Sequence, residues 1–287
     1  MNTKAKRIFL TWFLCVSLIF STVALGHAYN GVLAFGDSLS DNGNADGFGI
    51  THFTNGPVWV EYLAGPTGLN VPLFDVAFGG ATTAYDNPAA GLAYTGLQWQ
   101  VEAYLYSGPI SSDTLVTVWA GANDLFQSRS FSDAADNVGL ALSKLATAGF
   151  QNFLVMNLPN VGATPEFKGT LNEAGATAWS QAFNMLLAAE LVALQAAFPA
   201  DHFYTFDTFS LLDAVMANPS AYGFTNVTDK WIDNPAGTGY LFWDGVHPTT
   251  QAHSMIADYA RASVPEPATL LLLSLGLIGL ARLRRKL

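Results

Sequence analysis

The sequence predicts a three-layer α/β/α fold built on a five-stranded parallel sheet, and three observations carry that expectation. Short apolar runs alternate with helix-period segments through the whole middle of the chain, the order expected when each strand is followed by a crossover helix. Helices returning between parallel strands must cover both faces of the sheet, so the strands read as apolar runs. No internal repeat, coiled coil or long low-complexity linker interrupts residues 29–264, and a segment of that length supports one domain with a sizeable core.

Taken in order, the elements have local reasons. A strand near 31–36 carries Val32, Leu33 and Phe35 and stops at the turn-forming Gly36-Asp37-Ser38. A helix is expected near 57–64. Strands follow near 73–78, 114–120, 152–157 and 203–207, each rich in Val, Leu, Phe or Thr. Helix-period segments lie near 97–107 and 133–148. The longest helical segment lies near 172–198 and the last near 249–262.

The two chain ends read as targeting segments. Lys4, Lys6 and Arg7 precede an apolar run from Ile8 to Leu25 and the small residues up to Ala28, the pattern of a secretory signal peptide spanning 1–28. Cys15 is the sole cysteine and lies in that run, so an exported domain has no disulfide. At the other end Pro265-Glu266-Pro267 leads into an apolar stretch, Ala268 to Ala281, followed by Arg282, Arg284, Arg285 and Lys286. The stretch is short for a span of ~20 residues, while the basic residues behind it fit a cytoplasmic stop. This tail, 265–287, closely resembles the PEP-CTERM sorting signal of Gram-negative bacteria. The resemblance implies recognition by an exosortase, removal of the tail, and delivery to the cell surface or extracellular matrix after transient anchoring in the membrane.

Charge narrows the partners further. The chain has 12 Lys+Arg and 22 Asp+Glu, of which seven basic and one acidic residue lie in the two end segments, leaving 29–264 near −16. Such a domain disfavours nucleic acid and anionic membrane surfaces and suits neutral or weakly charged substrates.

Four motifs stand in order: FGDSLSDNGN (35–44), AFGGATT (77–83), GANDLF (121–126) and FWDGVHPTT (242–250). A serine hydroxyl needs a neutral imidazole to take its proton as it attacks a carbonyl; Ser38 and His247 are the candidates. A carboxylate must hold that imidazole in one tautomer and stabilise its charge, and Asp244 stands three residues before His247. The oxyanion that develops needs preorganised donors, which the backbone N–H groups of Ser38 and Gly80 and the side-chain amide of Asn123 can supply. In open α/β sheets such sites form beyond the carboxyl ends of the strands, and Ser38, Gly80 and Asn123 each follow a predicted strand.

These blocks resemble the GDSL, or SGNH, esterase and lipase family, and the resemblance runs over residues 31–262. It implies a flavodoxin-like SGNH-hydrolase fold, Ser38 as nucleophile, Gly80 and Asn123 as oxyanion donors, and Asp244 with His247 as the Asp-x-x-His pair. Asp75 departs from the pattern, since many relatives carry Asn before the glycine block. No G-x-S-x-G elbow is present, which argues against the α/β-hydrolase fold.

No cofactor is expected. The chain lacks a G-x-x-x-x-G-K loop, an H-E-x-x-H motif and a cysteine cluster, and Asp37, Asp41 and Asp46 do not fall in an EF-hand register. Asp41 and Asn44 are expected to fix the loop that carries Ser38. His27, His52, His202 and His253 read as surface or packing histidines. Phe48, Phe53, Trp59, Phe126 and Phe131 lie near the motifs and suit either an acyl groove or packing. The expected activity is hydrolysis of a small-molecule or lipid ester through an acyl-enzyme; an acetylated matrix polysaccharide is the alternative substrate, and a non-catalytic surface or matrix protein the alternative class.

Overall fold

A computed structural model describes residues 29–48 and 53–264. The expected signal peptide 1–28, the expected sorting tail 265–287, His52 and the side chain of Phe48 lie outside the described residues. Five strands form one parallel sheet: β1 (Gly31–Gly36), β2 (Leu73–Asp75), β3 (Thr114–Trp119), β4 (Asn152–Met156) and β5 (His202–Phe206). Their spatial order is β2-β1-β3-β4-β5, so the chain first moves to one edge, then crosses β1 to build the other side. β1 pairs with β3 from Gly31↔Thr114 to Gly36↔Trp119, which levels the ends of the two strands that carry Ser38 and Asn123.

Helices α1 (Trp59–Ala64), α2 (Leu97–Ser107), α3 (Ala122–Phe126), α4 (Phe131–Ala148), α5 (Glu173–Ala197), α6 (Thr208–Ala217) and α7 (Thr250–Ala262) cover the sheet and its end. Alternate strand residues separate into two layers. Leu33, Phe35, Val116, Val118, Phe153 and Val155 join side chains of α2, α4 and α5 in one core, while α1 and α7 pack on each other. The intervening strand residues Val32, Ala34, Leu115 and Leu154 are equally buried. Three layers thus form for the reason the sequence offers: apolar strands need a cover on each side.

Ordered boundaries differ from the predicted ones where side chains intervene. β2 was expected to run to 78, but the Asp75 carboxylate takes the Ala77 N–H at 2.9 Å, and regular pairing ends at Asp75. α4 starts before 133 because the Ser130 side chain accepts from the N–H groups of Ser132 and Asp133. Four elements have no counterpart in the sequence reading. α3 is a single short turn, and α6 is capped by Asp207, whose carboxylate accepts the Ser210 N–H at 3.1 Å. A small parallel pair, β6 (Asn226–Lys230) and β7 (Tyr240–Phe242), lies outside the main sheet. Its apolar residues Leu241 and Phe242 pack with Val215 of α6 and Ala252 of α7 in a second core. Among the described residues no helix is long and apolar enough to cross a membrane.

Candidate active site

The loop holding Ser38 is fixed from below by glycine and glutamine. Gly36 ends β1 at φ 149°, and a Cβ there would lie 2.2 Å from the Trp119 carbonyl oxygen, so only glycine lets β1 and β3 close at this level. Gln100 of α2 clamps the same residue, accepting its N–H at 2.9 Å and donating to its carbonyl at 2.7 Å. Asp41 then gathers the loop beyond Ser38: its carboxylate accepts the N–H of Gly43 at 2.8 Å and of Asn44 at 2.6 Å, and that of Gly79 at 2.7 Å. The Asn44 amide donates to the carbonyls of Asp75 and Ala77. Asp41 and Asn44 therefore hold the serine loop to the glycine loop, as expected from their position.

Asp75, the departure noted in the sequence, sits in the same seam. It accepts the Asn42 N–H at 3.0 Å and the Ala77 N–H, and burial pushes its carboxyl up to about 8. Gly80 adopts φ 83°, where an added Cβ would meet Asn87 Oδ1 at 2.6 Å and Ala89 Cβ at 2.8 Å. Asn87 in turn donates to the Gly79 carbonyl at 2.8 Å, which sets the plane of the Gly79–Gly80 peptide.

Asn123 lies in the first turn of α3, after Gly121 at φ 130°. Its amide Nδ2 donates to Asp37 Oδ2 at 3.3 Å. Asp37 is buried, and that burial pushes its carboxyl up to about 7 against the opposing pull of the Leu39 N–H, His247 and the Asn123 amide. The neighbouring Asp124 accepts the Thr83 N–H at 2.8 Å and the Thr83 hydroxyl at 3.0 Å, tying α3 to the glycine loop. Asp37, Asn87, Gln100 and Asp124 were not read from the sequence as parts of the site. Asp37 lay inside the first motif and Asp124 inside the third, so an acid beside each assigned residue was the available signal.

His247 comes from the other half of the molecule, in the turn between β7 and α7. Asp244 Oδ1 accepts the N–H groups of Val246 at 2.9 Å and His247 at 2.7 Å, and Trp243 donates its N–H to the His247 carbonyl at 2.8 Å. Thr249 starts α7 with its hydroxyl donated to the Tyr240 carbonyl at 2.8 Å. In this turn His247 Nδ1 lies 2.7 Å from Asp244 Oδ2 and Nε2 lies 2.8 Å from Ser38 Oγ. Burial acts to raise the Asp244 carboxyl, yet the His247 hydrogen bond, its charge and the two backbone N–H groups bring it below the usual value. A carboxylate accepting from Nδ1–H leaves Nε2 as the acceptor facing the serine hydroxyl, the arrangement a proton-abstracting imidazole requires.

Ser38, Gly80, Asn123 and His247 all line one cleft of about 280 Å³. Of the aromatic candidates, Phe53 and Phe126 line it too, with the Phe53 ring centroid 5.0 Å from that of His247. Trp59 is fully buried, its ring edge-on to Trp119, and Phe131 packs edge-on to Trp179; both serve packing. His253 is buried in α7 and accepts the Trp59 N–H at 3.3 Å, while His202 is exposed at the start of β5. Among the described residues no group of three or more His, Cys, Asp or Glu is placed to hold a metal ion.

A parallel sheet whose strand ends deliver a serine, a glycine and an asparagine to one Asp–His pair is the framework of an ester-hydrolysing enzyme of the three-layer α/β/α kind. Residues 32–260 match the family model of GDSL-like lipases and acylhydrolases, and the chain belongs to that family. Residues 263–286 match the PEP-CTERM protein-sorting motif. Among curated relatives, the thermolabile hemolysin of Vibrio parahaemolyticus is 31% identical over 80% of this chain and 62% of its own length. The phosphatidylcholine-sterol acyltransferase of Aeromonas hydrophila is 25% identical over 88% of this chain and 96% of its own. The chain spans 62% of that hemolysin and 50% of a second relative, from Pseudomonas putida. Among solved structures, a lipolytic G-D-S-L family member from Veillonella parvula superposes with a TM-score of 0.52 at 16% identity, over 82% of this chain and 97% of its own. An acetylxylan esterase from Geobacillus stearothermophilus gives 0.50 at 15% identity, over 80% and 91%. These two likenesses establish the fold.

Proposed function

We propose that the protein is an exported serine hydrolase that cleaves carboxylic esters through an acyl-enzyme on Ser38. The observation that carries the reading is the unbroken chain from Ser38 Oγ through both ring nitrogens of His247 to Asp244, with links of 2.8 and 2.7 Å. As Ser38 Oγ attacks the ester carbonyl, its proton passes to His247 Nε2. Asp244 stabilises the imidazolium so formed and keeps Nδ1 protonated throughout. The carbonyl oxygen, now negative, takes hydrogen bonds from the N–H groups of Ser38 and Gly80 and from Asn123 Nδ2. An amide has two N–H bonds, so Asn123 can keep one on Asp37 while the other points at the oxyanion; Asp37 thereby aims Asn123. His247 returns its proton to the leaving alcohol, and water repeats the sequence to release the acid and regenerate Ser38.

The match of the tail to a sorting motif supports export, processing by an exosortase and a place at the surface or in the matrix of a Gram-negative bacterium, with 1–28 as signal peptide and 265–287 removed. The name of the Aeromonas relative supports lipid esters over polysaccharide acetyl groups as substrates.

Expression of residues 29–264 and assay on p-nitrophenyl esters tests the enzyme. Hydrolysis by the wild type with loss of activity in Ser38→Ala is expected. Equal rates for the two proteins would contradict the assignment, and an inactive wild type that carries no label on Ser38 from a fluorophosphonate would favour the non-catalytic surface protein.

A further inference from the structure

Helix α2 breaks the pattern of a surface helix, which turns an apolar stripe to the core and a polar face to water. It buries Leu97 and Val101 as expected, but it also buries Gln98 and Gln100 and leaves Trp99 at 40% and Tyr106 at 93% exposure. Those two residues are seven positions apart, so they share a face and stand about 10.5 Å apart along the axis. The exposed Ala103 lies between them and leaves the space over the strip open. Sequences break a local rule of this kind chiefly at functional sites.

The loop leading into α2 is strained in support of the same surface. Thr95 adopts φ 79°, a region costly for a β-branched residue. It is held there by the Asn87 amide, which donates to its hydroxyl at 3.0 Å, and by the Gln100 amide, which donates to its carbonyl at 2.9 Å. The bend sets the Tyr94 ring beside Trp99, with centroids 5.6 Å apart and planes at 44°, and Tyr94 is itself 41% exposed. Polar groups border these rings. Glu102, three residues after Trp99 and so its neighbour on the helix surface, accepts from the Tyr85 hydroxyl and from Lys144 of α4 at 2.7 Å. Lys144 also donates to Gln98 Oε1 at 2.9 Å. One ammonium hydrogen and Glu102 Oε2 are left for an incoming hydroxyl.

We propose that Tyr94, Trp99 and Tyr106, bordered by Glu102 and Lys144, form a surface site for a neutral glycan chain. The site is separate from the catalytic cleft, whose lining includes none of these residues, and it stands independently of the hydrolase reading. A pyranose ring has an apolar C–H face that stacks on an aromatic ring and a rim of hydroxyls that Glu102 and Lys144 can pair. The charges of the border cancel within one ion pair, so the site favours no charged ligand, and the strongly acidic domain around it repels an anionic chain. A lipid surface fits less well, because the ion pair would lose water there without gaining a partner. Bound in this way the glycan is a support that holds the protein in place and takes no part in ester cleavage.

The test is calorimetry of residues 29–264, within which both cores lie, with cellohexaose and xylohexaose. Binding of at least one is expected. Trp99→Ala and Tyr94→Ala should each weaken it by about fivefold or more, while Trp99→Phe, which keeps a ring, should stay within about twofold of wild type. The substituted positions are exposed, so thermal melts within about 4 °C of wild type are expected to show that the variants fold. Failure of both hexasaccharides to bind at about 10 mM overturns the proposal. Equal affinity in wild type and Trp99→Ala also overturns it, since the sugar would then lie elsewhere. Polygalacturonate binding as tightly as xylohexaose would contradict the neutral chain. Sedimentation with phosphatidylcholine vesicles tests the lipid surface: cosedimentation lost in Trp99→Ala, with no glycan bound, would assign the patch to a membrane and overturn the glycan site.

Discussion

Two regions meet at Ser38, and they are held by different means. The sheet half presents Ser38, Gly80 and Asn123 from strand ends buried on both faces, and side chains from elsewhere in the fold grip their backbone: Gln100 on Gly36, Asn87 on Gly79, Asp41 on Gly79. The arm from 208 to 256 presents His247 from a turn whose hydrogen bonds are mostly its own, with Asp244 accepting from Val246 and His247 and Thr249 donating back to Tyr240. The oxyanion donors are thus part of the rigid core, while the base stands on a separate, smaller core that also walls the cleft. Rigidity where charge must be stabilised without reorganisation is what electrostatic preorganisation asks for. The base needs only its ring held at both nitrogens.

That contrast can be broken at either side. The largest effect is expected from His247→Ala, which should lower kcat by on the order of 10⁵–10⁶ while Tm stays within about 4 °C, since the ring is part-exposed; a thermal melt beside the rate assay checks both halves. Asn123→Ala should lower kcat by roughly 10²–10³ with little change in KM, and a rate within twofold of wild type would remove Asn123 from the oxyanion site.

Stability should rank the two supports the same way. Gln100→Leu removes three buried hydrogen bonds, two to Gly36 and one to the Thr95 carbonyl, and should cost about 3 kcal/mol, or roughly 6–12 °C in Tm. Thr249→Ala takes one cap from the arm and should cost about 1 kcal/mol. Chemical denaturation of both variants measures the order; a larger loss from the arm would mean that the smaller core, not the sheet, carries the site.

A pH-dependent effect concerns the seam between the serine and glycine loops. Burial raises Asp37 to about 7 and Asp75 to about 8, both above the unfolded value of 3.8. The native state then binds more protons than the unfolded chain between those limits, so its stability is greatest near and below pH 4 on this account and falls as pH rises to 8. The carboxyls held low, such as Asp244 and Asp86, stay ionised in both states above pH 5 and leave the slope alone. Urea midpoints should fall between pH 5 and 8.5, and Asp75→Asn should flatten that fall; an unchanged slope would mean that Asp75 is ionised in the fold at pH 5.

The same division decides what the sequence could reveal. Val32, Leu33, Phe35, Val116 and Val118 are buried on both sides, so their apolar runs announced the strands, and motifs just beyond them announced the site. The arm gave weaker signals. β7 is three residues long, β6 carries Asn226, Asp229 and Lys230, and α6 follows β5 with only Asp207 between them. Short elements whose burial comes from one another, rather than from a sheet, leave no period to read. The aromatic residues illustrate the limit: Phe53 and Trp59 are six positions apart, yet one flanks His247 and the other is core, because only tertiary packing decides which way a loop side chain turns.

The central claim is that His247 and Asp244 make Ser38 a nucleophile. Its most direct test is the site and rate of labelling by diisopropyl fluorophosphate, followed by intact mass and peptide mapping. One phosphoryl group on Ser38 of the wild type, with labelling slowed at least a hundredfold in His247→Ala, is the predicted result. Labelling at another residue, or at Ser38 with equal speed in both proteins, would contradict it.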